Sequence, residues 1–295
     1  MKFGITFGQL HNAVWDDAAV AADELGFESV WMPEHLVLPT RMQGELKPGE
    51  KHPPIAPTVP VLDACAYLSY LAAKTSRVRL GTFVYLLGIR HPFVGARAFA
   101  TLDVVSAGRA EVGVGVGWLR TEWEAAGLDP RTRGARLDEA IDVTRRLWLE
   151  PTIAHAGRFW SFEEVAFEPK PVQRPAPPIV VGGESDAALR RAALRGDGWI
   201  GMDHTPSSAA ARVARLRELR RDAGRADVPF KVTVLGTPTM PADVAAFASA
   251  GVDRLIVVPW TSSRHAIEGM RRFAGQFIDA SDTGDTSDTR LTDGD

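Results

Sequence analysis

Short apolar, β-branched runs alternate with longer stretches in which apolar residues recur every three or four positions, and this rhythm fills most of the chain. Lys2 to Phe7 reads as strand one, followed by a helix from about Asp16 to Leu25 that stops at Gly26. Ser29 to Met32 is strand two, Asp63 to Ser76 a helix and Val78 to Val84 strand three. Pro92 then opens a helix at its favoured first position. Strand four lies within Gly108 to Trp118, and the stretch from about Arg133 to Leu149 carries Leu137, Ile141 and Leu147 at helical spacing. Ile179 to Val181, Gly198 to Gly201, Phe230 to Leu235 and Asp253 to Val258 are strands five to eight. Helices follow them from near Ser185 to Gly196, Ser207 to Ala223, Pro241 to Ala250 and His265 to Ile278. Eight strand–helix pairs in this order favour a closed (β/α)8 TIM barrel, an α/β fold, over an open doubly wound sheet.

Two segments interrupt the rhythm. Residues 36–60 hold six prolines and no clear period, too long for an ordinary connection, so they read as a lid-like or disordered insertion after strand two. Residues 151–178 read as an insertion before strand five, with two short strand-like pieces around Gly157 and the run PKPVQRPAPP. No repeat and no internal boundary is visible, which leaves one barrel domain over 1–279. The final sixteen residues, 280–295, hold five Asp and one Arg among Ser, Thr and Gly, and read as a disordered acidic tail.

The stretch GRAEVGVGVGW at 108–118 breaks the usual rules for a strand. Gly113, Gly115 and Gly117 fall on one face and leave it bare, although Gly inside a strand costs about 0.5–1 kcal/mol relative to Ala. A bulky ligand against that face explains them, as would neighbouring barrel residues filling the space or a bulge. A dinucleotide fingerprint fits less well, because no third glycine stands at the required offset.

Composition narrows the partners. At 295 residues and 45% hydrophobic content one large core is affordable, and a net charge of −3 gives no reason to expect nucleic acid or an anionic membrane. The single cysteine, Cys65, sits in an apolar helical pattern and reads as a core residue. No apolar run approaches a membrane span and the chain starts directly on a strand, so the expectation is a soluble, cytoplasmic protein.

Barrels of this kind bind ligands at the C-terminal ends of their strands, which directs attention to the residues just past each one. Strand two ends in Glu34 and His35, a carboxylate that can orient and an imidazole that can move a proton near neutral pH; a plain surface histidine is the competing reading. Strand five ends in Gly182, Gly183, Glu184 and Ser185 before a helix. Two glycines allow a tight turn and the helix start offers unpaired N–H groups, which suits a phosphate, with Glu184 expected to face solvent. Ser185 serving only as a helix cap is the alternative, and Gly236 with Thr237 or Thr261 to Ser263 are other places for a phosphate. The seven histidines show no metal-ligand spacing and there is no GxSxG, which disfavours metal or serine hydrolases.

GFESVWMPEH at 26–35, TSRVRLGTFVYLLGIRHP at 75–92, GRAEVGVGVGW at 108–118 and PPIVVGGESDAALRRAALRGDGWIG at 177–201 together resemble the luciferase-like monooxygenase superfamily, and most of all its coenzyme F420-dependent branch. The resemblance implies Glu34 and His35 facing the cofactor ring, with His35 exchanging a proton. It implies a non-prolyl cis peptide between Phe83 and Val84 backing the ring, Gly115 and Gly117 beneath the cofactor, and its phosphate at Gly182, Gly183, Glu184 and Ser185. Members that oxidise sugar phosphates carry a glutamate where this chain has Trp118, so glucose 6-phosphate is not the expected substrate and Trp118 suggests an apolar wall. The expected function is hydride transfer between F420 and a small organic substrate by a homodimer. The alternatives are a two-component monooxygenase that accepts reduced FMN, and a cofactor-binding protein without turnover.

Overall fold

The computed structural model describes residues 1–45, 49 and 55–278. Its ten strands are β1 (Lys2–Thr6), β2 (Ser29–Met32), β3 (Arg79–Thr82), β4 (Ala110–Val114), β5 (Thr152–Ala156), β6 (Ser161–Ala166), β7 (Ile179–Gly182), β8 (Gly198–Gly201), β9 (Lys231–Leu235) and β10 (Arg254–Val257). Eight of them, all but β5 and β6, close a parallel barrel in chain order, with β1 hydrogen-bonded to both β2 and β10. The helices are α1 (Trp15–Glu24), α2 (Ala64–Lys74), α3 (Pro92–Val105), α4 (Arg120–Ala125), α5 (Arg133–Leu149), α6 (Asp186–Arg195), α7 (Pro206–Asp222), α8 (Pro241–Ser249) and α9 (Ala266–Phe277). The expected barrel is therefore present, each strand within a few residues of its sequence reading except the fourth. There β4 stops at Val114, and the backbone has left the strand before Gly117, whose φ is +71°.

Local chemistry accounts for the helix starts. Asp63 accepts the Ala66 amide at 2.8 Å ahead of α2, and Pro92 and Pro206 stand at the first helical turn, where a missing N–H costs nothing. The insertion before β7 holds the antiparallel β5–β6 hairpin. Glu139 of α5 pins that hairpin by accepting the amides of Arg158, Phe159 and Trp160 and facing His155 Nε2 at 3.1 Å.

The barrel interior is layered. At its N-terminal end Arg254, fully buried, meets Glu28 at 2.6 Å and Glu111 at 3.1 Å, while Arg79 reaches Glu111 at 2.6 Å. Above this charge network lies the Trp31 indole, with the Arg254 guanidinium 5.2 Å from its ring centre. A Cβ at Gly81 would sit 2.5 Å from that ring, so glycine there is what lets tryptophan fill the barrel centre. Next come Val180, Ile200, Leu235 and Ile256, and at the mouth the half-buried Phe83, Val84, Met202 and Val258 form an apolar shelf.

The bare face of β4 points into this interior, and the chain itself occupies the space. A Cβ at Gly113 would lie 1.7 Å from the Thr82 carbonyl oxygen, one at Gly115 2.4 Å from Val84 Cγ2, and one at Gly117 2.9 Å from Leu86 Cδ2. The close neighbour is thus the continuation of β3, the packing alternative to a ligand. The acidic tail, 280–295, and the middle of the 36–60 insertion lie outside the described residues.

The charge network yields a prediction. Burial alone would raise the Glu111 pKa, but Arg254, Arg79 and Lys231 outweigh it and hold the carboxyl below its ordinary value. A lowered folded-state pKa gives stability that is complete above the unfolded value and is lost as pH falls through the folded one. Arg254→Met should therefore cost about 3 kcal/mol at neutral pH and less in acid, where Glu111 takes up a proton. Urea unfolding at pH 7 and pH 4 reads this, and an equal loss at both would contradict it.

Candidate active site

Glu34 and His35 leave β2 at the mouth in different directions. The His35 ring, 17% exposed, places Nδ1 2.8 Å from Oε2 of Glu122, a fully buried residue of α4. Glu122 Oε1 also accepts the Leu36 amide at 2.5 Å and the Val37 amide at 3.3 Å. A carboxylate only accepts, so Nδ1 carries the hydrogen of this bond. Nε2 has no hydrogen-bond partner among the described residues and is left to accept a proton, or to donate one when the ring is charged.

The sequence reading of Glu34 as the carboxylate that orients His35 is corrected here. Glu34 is buried and takes the Leu86 amide at 2.8 Å and the Arg90 guanidinium at 2.6 Å. It holds the chain that follows β3, not the histidine. Glu122 went unread because α4 is a six-residue helix with two glutamates, and nothing in its pattern separates the buried one from the exposed Glu124.

The Phe83–Val84 peptide is cis, and both side chains belong to the apolar shelf. Trp118 stands edge-on to His35 with ring centres 6.0 Å apart, and the exposed Leu36 and Val37 lie just beyond His35. The described start of the 36–60 insertion runs along this wall. The Arg120 amide donates to the Gln43 carbonyl at 2.7 Å, and Gly44 pairs with Leu119.

Across the mouth, β7 ends at Gly182, Gly183 has φ +125°, and Ser185 caps α6 by accepting the Ala188 amide at 3.2 Å. The cap reading of Ser185 is thus correct geometrically, and it leaves the first amides of α6 without intrahelical partners. Glu184 does not face solvent. It is 9% exposed, accepts the Met202 amide at 2.8 Å, and has both oxygens 3.2 Å from His204 Nε2. Burial would raise its pKa, yet the His204 and Met202 hydrogen bonds, with the charges of His204 and Arg212, bring it below the ordinary carboxylate value. His204 was noted in the sequence only among histidines without metal spacing, and Glu184 was expected in water; neither signalled its partner. At Gly236, an alternative phosphate position, an added Cβ would meet Phe247 and Leu255 at 2.9 and 3.3 Å. Among the described residues no His, Cys, Asp and Glu group could hold a metal ion. Likewise no helix there is long and apolar enough to cross a membrane.

Residues 10–281 match the luciferase-like monooxygenase family. The chain belongs to that family. It is therefore an enzyme of a class of oxidoreductases and monooxygenases that act on small molecules. An uncharacterized protein of Mycobacterium tuberculosis is 31% identical over 266 residues, 88% of this chain and 91% of that one. An F420-dependent glucose-6-phosphate dehydrogenase of Kineococcus radiotolerans is 35% identical over 195 residues, 63% of this chain and 53% of the relative. Among solved structures, an F420-dependent secondary alcohol dehydrogenase in complex with an F420–acetone adduct superposes with a TM-score of 0.76 at 17% identity, covering 94% of this chain and 98% of that one. A monooxygenase from Streptomyces bottropensis gives 0.73 at 23% identity over 95% and 100%. These last two likenesses show the fold.

The Glu122 contact predicts which ring nitrogen of His35 carries the proton when the ring is neutral. Nitrogen-resolved NMR should find it on Nδ1 in the native protein, and Glu122→Leu should abolish that preference. A native Nε2–H tautomer would contradict the contact.

Proposed function

We propose that this enzyme transfers a hydride between coenzyme F420 and a small, uncharged organic substrate. The observation that carries the reading is His35 Nε2, which has no hydrogen-bond partner among the described residues, at the same end of the barrel as the apolar shelf of Phe83, Val84, Met202 and Val258. The F420-dependent dehydrogenase relative from Kineococcus supports the choice of deazaflavin.

The residues present fit that group in two respects. An aromatic ring system buries one face well against a shelf of half-buried apolar side chains, and Gly115 and Gly182 are what allow Val84 to lie in that shelf, since a Cβ on either would come within 2.7 Å of it. Gly117 does the same for Leu86 behind it. The turn from Gly182 through Gly183 and Glu184 to Ser185 presents the positive end of the α6 dipole and its unpaired amides, which suits the coenzyme's phosphate.

The coenzyme, when bound, supplies a ring carbon able to take or give a hydride. In the oxidising direction His35 takes the substrate hydroxyl proton at Nε2 as the hydride leaves the adjoining carbon, and the reverse direction returns both. Glu122 keeps Nδ1 occupied so that Nε2 is the exchanging atom, and it stabilises the ring while charged. Glu34 acts one step back, by fixing the segment that carries Phe83 and Val84. Trp118, Leu36 and Val37 make the wall facing His35 apolar. The carboxylate nearest His35 is buried behind it and bonded, not aimed at a substrate, so this site is not proposed to share the sugar-phosphate substrate of the Kineococcus enzyme.

Titrating the protein with F420 and, in parallel, with FMN and reduced FMN tests the cofactor. Micromolar or tighter binding of F420 with weaker binding of FMN is expected, whereas preference for reduced FMN would replace hydride transfer by oxygen insertion as the reading. His35→Ala should keep F420 binding within a few-fold yet slow the reduction of F420 by a panel of secondary alcohols about 10²–10⁴-fold. An undiminished rate would remove His35 from the mechanism.

A further inference from the structure

The pair formed by Glu184 and His204 is not used by the chemistry at His35, yet it stands at the turn that the proposed cofactor's phosphate would occupy. Three bonds cross from β8 and the β8–α7 connection to this turn. Trp199 Nε1 donates to the Gly183 carbonyl at 2.9 Å, the Met202 amide to Glu184 at 2.8 Å, and His204 Nε2 to the same carboxylate at 3.2 Å. His204 is itself held by its amide, which donates to the Leu235 carbonyl at 2.9 Å. Arg212 of α7 adds a second cation 3.6 Å from Glu184 Oε2.

An acidic residue inside an anion-binding turn is a contradiction unless its charge is cancelled, because like charges in a partly dry site repel strongly. Here the cancellation is visible. The carboxylate is drawn out of the mouth toward β8 and α7, where an imidazole and a guanidinium meet it. The far side of the His204 ring is held as well. Nδ1 lies 3.0 Å from Ser208 Oγ, whose single proton also has the Thr205 carbonyl as acceptor at 3.1 Å. Ser208 can give a proton to Nδ1 or take one from it, and in either case Nε2 is the nitrogen that donates to Glu184.

We infer that His204, backed by Arg212, is a positioning residue that neutralises Glu184 and so keeps the Gly182–Ser185 turn receptive to the anionic phosphodiester of the cofactor. This rests on the reading that the turn takes the phosphate of the cofactor. The role is one of selectivity: it distinguishes phosphorylated from unphosphorylated forms of the same ring and does not act on the hydride-transfer step.

The test measures dissociation constants by fluorescence for F420 and for its phosphate-free deazaflavin riboside, on the native protein and on His204→Asn, Glu184→Gln and the double variant, each checked for an unchanged melting temperature. The native protein should bind F420 more tightly than the riboside. His204→Asn should weaken F420 about tenfold, because the less compensated Glu184 charge then repels the phosphate, and leave the riboside within twofold. Glu184→Gln should hold or tighten F420, and the double variant should recover most of what His204→Asn lost, which a merely structural role would not produce. Equal losses for both ligands in His204→Asn, or no recovery in the double variant, would overturn the inference while leaving the turn as a phosphate site. Equal affinity of the native protein for F420 and the riboside would overturn the phosphate site itself, and this inference with it.

Discussion

The chain leaving β3 lies directly against the bare faces of β4 and β7, and the mouth of the barrel is shaped by that contact. Thr82 gives its hydroxyl to the Gly113 carbonyl at 2.7 Å, the Tyr85 amide follows to the same carbonyl at 2.7 Å, and the Gly115 amide returns a bond to Tyr85 at 3.1 Å. Val84 fills the volume that side chains at Gly115 and Gly182 would need. Because backbone approaches backbone so closely, Phe83 and Val84 are carried into the mouth and the Leu86 amide is brought to Glu34. One steric condition, glycine on one face of two adjacent strands, thus sets both the apolar shelf and the buried Glu34–Arg90 pair beneath it.

Charge is distributed along the barrel axis accordingly. The N-terminal end holds a closed network in which Arg254, Glu28, Glu111 and Arg79 satisfy one another, and burial of any one of them alone would be strongly unfavourable. The middle is apolar and filled by Trp31. The C-terminal end holds two histidine–carboxylate pairs, His35 with Glu122 and His204 with Glu184. In the first pair Nε2 of the ring has no hydrogen-bond partner among the described residues. In the second both ring nitrogens are hydrogen-bonded.

The two pairs also couple separate segments. Glu122 ties the start of the insertion after β2 to the loop after β4 through His35, Leu36 and Val37. Glu184 ties the β7 turn to the β8–α7 connection. The rim is consequently a set of cross-braced loops on a rigid barrel, with function placed in the loops and precision supplied by their braces.

The barrel and the order of its strands were legible in the sequence, because the periods of 2 and 3.6 are local properties that each segment displays without reference to the others. Ser29–Met32 and Gly198–Gly201 were readable to the residue for that reason, and so was the significance of Gly113, Gly115 and Gly117 as a place of close approach. What approaches them was not legible: a bare strand face specifies room, and only the closed barrel brings Thr82, Val84 and Leu86 into it. Pairing of charges was equally hidden. Glu34 sits next to His35 in the chain, yet successive side chains diverge, and the carboxylate that reaches the imidazole is eighty-seven residues away on a short helix. Glu184 is drawn inward by His204, twenty residues further on, because their two strands are neighbours in the barrel. Local pattern determined the elements and their order, while the partner of each buried ionisable group was decided by the closure of the barrel.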